Sequence, residues 1–141
     1  MMETPMDRID KILNHDLFLY HLGRNNAAEA DRRFCRHSMV HFLDVARIGT
    51  IIALEEGFKI DREWIYAAAL LHDCGKHEQY EMGTPHEQAS ARIAPEILKT
   101  CGFNDEETGV IVTAISRHRD PEAAKEKNLN GILYRADKAS R

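Results

Sequence analysis

The residues of clearest chemical interest are His72 and Asp73, which follow the most apolar stretch of the chain, residues 64–71. Such a stretch predicts a helix that is buried on every face. A carboxylate at the end of a buried helix is costly unless it is paired or bound to a metal ion, and the nearest arginine or lysine before it is Arg62. Imidazole and carboxylate ligands together suit Mn, Fe, Ni, Zn or Co better than Ca. The pair therefore indicates a transition-metal site just beyond the helix.

Further candidate ligands come from other predicted helices. They are His37, His41, His86, His118 and Asp137. His37 and His41 lie one helical turn apart and share a face. His86 falls in the first turn of its helix, whereas His118 falls at the end of another. Each of these two alone would be interpreted as a helix-end histidine, so only the set as a whole indicates a metal.

Two other histidines are interpreted as structural. His15 is followed by Asp16, but this His-Asp dipeptide lies in an ordinary amphipathic helix without partner ligands, which favours a surface role. His77 follows the turn at Gly75 and Lys76 and is predicted to be a loop residue, near enough to touch a substrate.

The elements that must position these side chains are all helical. Apolar residues recur at three- and four-residue steps, which is the period of a helix packed on one face. The predicted helices cover roughly 6–22, 27–34, 37–55, 61–71, 85–101, 105–117 and 129–140. The fold class is therefore all-α, a single-domain helical bundle of about six to seven helices.

Breaks and caps divide these helices. Residues 23–26 and 74–84 are predicted to be loops. Thr84 is the predicted N-cap of the helix that begins at Pro85, and Pro95 inside that helix predicts a kink or a break. The long helix over 37–55 is predicted to bury Val40, Leu43, Ile48, Ile51 and Ile52.

Length and composition exclude several classes of protein. The chain has 141 residues, 43% hydrophobic and 30% charged, with a formal net charge of −4, which is typical of one folded domain. A sequence pI of about 6.0 argues against a nucleic-acid partner. The cysteines, Cys35, Cys74 and Cys101, lack the paired spacing of a disulfide framework. Without a signal peptide or an apolar run of membrane-spanning length, we expect a cytoplasmic protein and no membrane partner.

The order of the candidate ligands resembles the HD-domain superfamily of metal-dependent phosphohydrolases. The superfamily signature H…HD…D is matched by His41, by His72-Asp73 and by Asp137. An apolar run precedes the dipeptide and Gly75-Lys76 follows it, as in the family. The resemblance implies a helical bundle with a central metal site.

Two more segments resemble family positions that supply histidines to a second metal. They are 85–90, which contains His86, and 115–118, which ends at His118. The resemblance covers roughly 34–141, the expected motif-bearing core, and leaves 1–33 as a helical extension packed on it.

The resemblance implies a role for each of these residues. A first metal would be held by His41, His72 and Asp137. A second metal would be held by His86 and His118, while Asp73 would bridge both ions. Asp73 and Lys76 are the residues expected to act in catalysis. The phosphate groups of the substrate would be bound by Lys76, Arg117 and Arg119. His37 remains a supporting group or an alternative first ligand to His41.

The implied cofactor is one or two divalent transition-metal ions, namely Fe, Mn, Ni, Zn or Co, with Mg as a further candidate. Two such ions can activate a water and clamp a phosphoryl group in line. The implied reaction is hydrolysis of a phosphoester or phosphoanhydride bond in a small phosphorylated substrate, a nucleotide. Arg119 stands where cyclic-dinucleotide phosphodiesterases have a second histidine, so the sequence is more similar to the small bacterial dinuclear HD proteins.

Two other functions use the same ligands. A di-iron oxygenase of the HD type would cleave C–C or C–P bonds, and a non-catalytic module would bind a metal and sense a nucleotide. The apolar first helix and the short C-terminus are compatible with a homodimer.

Overall fold

The structure is a computed structural model that describes residues 6–30 and 39–140. Within these residues the chain forms eight α-helices and one 3₁₀-helix, and no strand. The elements are α1 (Asp7–Leu13), α2 (Asp16–Ala28), α3 (Met39–Glu56), α4 (Arg62–Leu71), α5 (Lys76–Met82), α6 (His86–Thr100), α7 (Asp105–Ser116), the 3₁₀-helix Pro121–Lys125 and α8 (Leu129–Ala139). The all-α fold class is confirmed.

Helix α4 lies at the centre of the bundle, where it contacts α1, α3, α6, α7 and α8. Asp61 caps its first turn by accepting a hydrogen bond from the backbone N–H of Glu63 at 2.8 Å, as predicted. Leu70 and Leu71, at its end, are fully buried. The prediction of a helix buried on every face is confirmed for residues 67–71, whereas Trp64 and Tyr66 are partly buried. The backbone that follows the helix emerges in the middle of the molecule.

Helices α3 and α8 pack against α4 and against each other. Gly49 allows the close approach, because a Cβ at this position would lie 2.9 Å from Ile65 on α4 and 3.2 Å from Ile132 on α8. The buried residues of α3 are Phe42, Val45, Ala46, Gly49 and Ala53. This packing brings the N-terminal half of α3 beside the C-terminal half of α8.

The predicted buried face of α3 is wrong at two positions. Val40 is 71% exposed and Ile51 is 53% exposed, whereas Leu43, Ile48 and Ile52 are partly buried. The buried side of α3 consists mainly of small residues, and Phe42 is the one large side chain among them. The five apolar residues predicted to be buried lie at the edge of this side or outside it.

The helix prediction over 6–22 also needs correction. Asn14 and His15 interrupt it, and His15 caps α2 by accepting a hydrogen bond from Leu17 N at 3.1 Å. Helix α2 then continues through the predicted loop 23–26 to Ala28. The break at Asn14 divides one predicted helix into two. Of the helix predicted over 27–34, Ala27 and Ala28 belong to α2, Glu29 and Ala30 form a turn, and residues 31–34 lie outside the described residues.

The segment 74–84 is not a loop, because residues 76–82 form α5. Short polar sequences carry little periodic signal, and this helix is held by tertiary contacts with α2 and α6. Thr84 is not the cap of α6. The N-cap position is Pro85, and the side-chain oxygen of Gln79 accepts a hydrogen bond from the backbone N–H of His86 at 3.1 Å instead.

The remaining helices follow the prediction more closely. Helix α6 contains Pro95 but runs without a break from His86 to Thr100. Asn104 begins α7 with a capping box in which its side chain and that of Glu107 exchange hydrogen bonds with the backbone. Among the helices that the structure describes, none combines the length and the apolar character needed to cross a membrane.

Candidate metal centre

The turn after α4 places His72 and Asp73 in the centre of the bundle. His72 is fully buried and Asp73 is 2% exposed. Nδ1 of His72 lies 2.6 Å from the carbonyl oxygen of Ala69. Because a carbonyl only accepts, Nδ1 donates, and Nε2 is directed away from the helix toward the carboxylates.

A first ligand group forms around His72 where α3 and α8 meet. Its members are His41, His72, Asp73 and Asp137, whose ligand atoms all lie within 4.8 Å of one another. Nε2 of His41 is 3.1 Å from Oδ1 of Asp137, and Nε2 of His72 is 3.3 Å from the same oxygen. Oδ2 of Asp73 is 3.1 Å from Nε2 of His72. Two imidazoles and two carboxylates thus converge on one point, which is a ligand set suited to a divalent transition metal.

A second ligand group shares Asp73 and consists of Asp73, His86 and His118, all buried. Oδ1 of Asp73 lies 3.3 Å from Nε2 of His86 and 3.4 Å from Nε2 of His118. The two oxygens of one carboxylate therefore face different groups. The structure brings together six of the residues that the sequence suggested as ligands, namely His41, His72, Asp73, His86, His118 and Asp137.

The donors and acceptors around His86 and His118 fit a cation. Nδ1 of His118 lies 2.7 Å from the carbonyl oxygen of Ile115, and Nδ1 of His86 lies 2.7 Å from Oε1 of Gln79. Both Nδ1 atoms therefore carry the proton, and both Nε2 atoms present lone pairs. These Nε2 atoms are only 3.0 Å apart, so they need a shared proton or a shared cation. Burial lowers the pKa of His86, which disfavours the proton and leaves a metal ion as the better partner.

The carboxylates of the first group attract a positive charge. Burial alone would lower the pKa of His72, but Asp73 and Asp137 raise it to about 10. Burial opposes ionisation of Asp73, yet His72, His118 and His86 hold the pKa of Asp73 well below its usual range. Burial also opposes ionisation of Asp137, but His41 and His72 lower its pKa. A metal ion would replace the proton on His72, so binding should be coupled to proton release.

Of the three predicted phosphate-binding residues, Lys76 is the one whose side chain lies beside a ligand group. It begins α5, is only 7% exposed, and its Nζ lies 3.3 Å from Nδ1 of His86. Its ammonium also lies 5.6 Å from the centre of the Tyr80 ring. A buried cation beside a ligand group can contribute a charged hydrogen bond to an anionic substrate.

The two predicted arginines lie in a different setting. Arg117 is paired with the carboxylates of Glu126 and Asp120, the latter at 3.1 Å, so its donors are engaged away from the ligand groups. Arg119 is exposed. Their roles in phosphate binding stay predictions.

The remaining histidines that the structure describes do not join the ligand groups. His37 lies outside the described residues. Nε2 of His15 contacts Thr100 Oγ1 at 2.7 Å, which agrees with the structural interpretation of that His-Asp dipeptide. His77 belongs to α5, and its Nε2 lies 2.9 Å from Nδ1 of His21 on α2.

Sequence reasoning missed the residues that orient the ligands. Gln79 orients His86, and the Ser140 hydroxyl lies 3.0 Å from Nδ1 of His41. Partners of this kind fix the tautomer and orientation of a metal-binding histidine. Their residue types are common on any surface, so no spacing in the sequence distinguishes them.

Comparisons with known proteins find a matching family and similar chains. The sequence model of the HD domain matches residues 39–141. An uncharacterized protein of Clostridium beijerinckii is 49% identical over 136 residues, which are 96% of this chain and 85% of the relative. The crystal structure of a predicted HD superfamily hydrolase from an uncultured Thermotogales bacterium is similar with a TM-score of 0.65 and 28% sequence identity. That match covers 85% of this chain, which spans 66% of the solved chain.

Proposed function

Because the chain belongs to the HD-domain family, we propose that it is a metal-dependent phosphohydrolase. The proposed reaction cleaves a phosphoester or phosphoanhydride bond of a nucleotide or a related small phosphate compound. The observation that carries this proposal is the pair of ligand groups that share Asp73, with the buried ammonium of Lys76 beside one of them. The similar HD superfamily hydrolase supports the same class of reaction.

The residues divide between two ions. His41, His72 and Asp137 would hold one, His86 and His118 would hold the other, and the two oxygens of Asp73 would contact both. Divalent ions in such a site lower the pKa of water and polarise a phosphoryl oxygen. Hydrogen bonds to Ala69, Ile115 and Gln79 would orient His72, His118 and His86, with Nδ1 as the donor and Nε2 directed toward the metal site.

Lys76 is the residue we assign to the substrate's phosphate. Its ammonium is held beside His86 in a buried position, where a charged hydrogen bond is stronger than in water. Arg117 could contribute only by exchanging Asp120 and Glu126 for phosphate oxygens. Lys76 therefore orients the phosphoryl group and offsets its charge.

Metal content and hydrolysis test the proposal together. Purified protein, reconstituted with Mn²⁺, Ni²⁺, Co²⁺, Zn²⁺ or Fe²⁺, is analysed for bound metal and assayed on a panel of nucleotides and phosphate esters. We expect about two equivalents per chain, with hydrolysis of at least one panel member, and loss of both metal and activity in Asp73→Ala. Asp16→Ala is the matched control, since it changes the exposed aspartate of the other His-Asp dipeptide.

Three outcomes would contradict the proposal. A wild-type protein that binds no metal would remove the basis of the site, and a fully loaded protein without phosphate-ester cleavage would remove the reaction. Oxygen consumption by the iron-loaded protein, without phosphate release, would favour the oxygenase alternative.

The Lys76→Gln variant tests the phosphate contact. We expect KM to rise about tenfold or more, because a hydrogen bond to a charged group contributes about 1.5–3 kcal/mol. The metal content should be unchanged, because Lys76 is not in either ligand group. Steady-state kinetics on the best substrate of the panel measure this, and an unchanged KM would remove Lys76 from the site.

A further inference from the structure

Asn25 is a fully buried polar residue that lies in α2, outside the residues matched by the HD-domain model. Its side-chain amide donates to the backbone carbonyl of Asp73 at 2.9 Å, and its side-chain oxygen accepts from the backbone N–H of His77, also at 2.9 Å. A backbone carbonyl only accepts and a backbone N–H only donates, so the orientation of this carboxamide is fixed. Asn25 therefore bridges both ends of the turn that joins α4 to α5.

The same turn is held from its opposite side by α6. Ser90 is fully buried, and its hydroxyl accepts from the backbone N–H of Gly75 at 2.9 Å. A Cβ on Gly75 would lie 2.7 Å from Ala89, so the two segments are already in close contact. The backbone of Asp73 is thus clamped between α2 and α6.

Other contacts fix α2 on α5 and hold Asn25 in register. Nδ1 of His21 lies 2.9 Å from Nε2 of His77. Arg24 pairs with Glu81, and the hydroxyl of Tyr80 donates to Glu29 at 2.8 Å. Because these contacts connect α2 and α5 at several points, the Asn25 carboxamide and the turn before α5 keep a fixed relative position.

We infer that Asn25 is a positioning residue of the metal centre. It acts through the backbone of Asp73, whose two oxygens must face different ligand groups at the same time. A shift of the Asp73 backbone would worsen the contacts of both oxygens, so a single hydrogen bond from α2 affects both ions. The inference rests on the proposed metal site but not on the proposed reaction.

The test measures metal affinity directly. Co²⁺ is titrated into metal-free wild type, Asn25→Ala and Asn25→Asp, and binding is followed by visible absorption with a chelator as competitor. Asn25→Ala removes both hydrogen bonds, whereas Asn25→Asp keeps the acceptor for His77 and loses the donor to Asp73. We expect 10- to 100-fold weaker binding in both variants, which is typical for loss of a residue that supports a ligand. Asn26→Ala, on the exposed neighbour, should bind as wild type.

A structural role alone would give a different pattern. Circular dichroism and thermal unfolding of the metal-free proteins define a temperature at which every variant is folded, and the titrations are made there. At that temperature a merely destabilised protein would keep the wild-type affinity and the wild-type Co²⁺ spectrum. We expect a changed d–d spectrum in the Asn25 variants, because the ligand geometry changes. If Asn25→Ala does not fold, the near-isosteric Asn25→Asp decides.

The outcomes separate this inference from the proposed function. Folded Asn25 variants with wild-type affinity and spectrum would overturn the inference and leave the proposed function intact. Metal-binding wild type without hydrolysis would overturn the reaction and leave the role of Asn25 standing. A wild type that binds no metal would overturn both.

Discussion

The carboxylate of Asp73 faces two sets of histidines through different oxygens. Oδ2 lies 3.1 Å from Nε2 of His72, and Oδ1 lies 3.3 Å from Nε2 of His86. Among the described residues, every other candidate ligand belongs to one group only. The effect of a substitution on metal content should therefore depend on whether the residue is shared.

This difference gives a prediction on stoichiometry. His41→Ala and His118→Ala each remove a ligand from a single group, so each variant should keep about one equivalent of metal, about half of the content expected for wild type. Asp73→Ala should lose both. Elemental analysis after gel filtration measures the content.

His15→Ala is the control for the removal of a histidine, because His15 contacts Thr100 and no ligand group. Loss of all metal in both His41→Ala and His118→Ala would mean that the two groups bind as one unit. Retention of all metal in His118→Ala would exclude it as a ligand.

Of the candidate ligands, His72 and Asp73 could be predicted from the residues alone, because they combine an unusual residue type with an unusual place, whereas His86 and His118 could be predicted only from the order of the whole set. Asp73 follows a run of apolar residues, where an ionised group is costly. Asn25 and Gln79 have no such signal. Asparagine and glutamine are common in exposed segments, and only the packing of α2, α5 and α6 turns these two toward the centre.

At the level of elements, α6 lies so close to the turn before α5 that no space remains for a side chain at Gly75. A Cβ on Gly75 would lie 2.7 Å from the Cβ of Ala89 and 2.7 Å from the backbone nitrogen of Ser90. Backbone atoms cannot move aside as the end of a flexible side chain can. An alanine at this position must push α6 away from the turn.

Gly75→Ala should therefore lower the free energy of unfolding by about 1–3 kcal/mol, the usual cost of overpacking. Gly23 is the matched control, since it lies inside α2 and a Cβ there would have no neighbour within 4 Å. Gly23→Ala should stabilise the protein by about 0.5–1 kcal/mol. Urea denaturation followed by circular dichroism measures both changes.

Equal effects of the two substitutions would contradict the close packing of α6 on the turn. A destabilised Gly75→Ala protein with normal metal affinity would show that the turn relaxes without moving Asp73.

The helices that the sequence predicted well have signals of their own. Asp61 and Asn104 cap α4 and α7 through their side chains, and both begin a helix whose later residues are apolar and buried. Helix α5 has neither a side-chain cap nor an apolar face, so its formation depends on neighbours that a local pattern does not reveal. Helix α2 likewise continues past Gly23 because of contacts with neighbouring helices, which a local sequence pattern does not reveal.

For the whole molecule, the partly buried His21 and the fully buried His72 give opposite dependences of stability on pH. Burial and the neighbouring His77 lower the pKa of His21 to about 4. In contrast, Asp73 and Asp137 overcome the effect of burial and raise the pKa of His72 to about 10. The usual pKa of histidine is about 6.5. The folded state thus holds fewer protons on His21 and more on His72 than the unfolded chain does at intermediate pH.

The sign of each effect follows from linkage. The contribution of His21 is fully present above pH 6.5 and is lost as the pH falls toward about 4. The contribution of His72 is fully present below pH 6.5 and is lost as the pH rises toward about 10. We expect the metal-free protein to be most stable near pH 6.5, as measured by urea denaturation across this range.

The variant His21→Gln separates the loss of stability at acid pH from the loss at alkaline pH. Its free energy of unfolding should fall less than that of wild type between pH 6.5 and 5, where most carboxylates are still ionised, and its loss of stability at alkaline pH should be unchanged. A loss at acid pH as steep as that of wild type would show that other groups cause it.

The distribution of the ligands along the chain has a consequence for how the protein is made. His41 and Asp137 are 96 residues apart, whereas His86 and His118 are 32 apart. Closing so long a loop has an entropic cost that is incurred before any distant pair can meet. The apolar core around α4 offsets that cost, and we expect the candidate ligands to meet only once the core has formed. Folding should therefore precede metal capture, so a nascent or refolding chain needs no metal ion to reach its native fold.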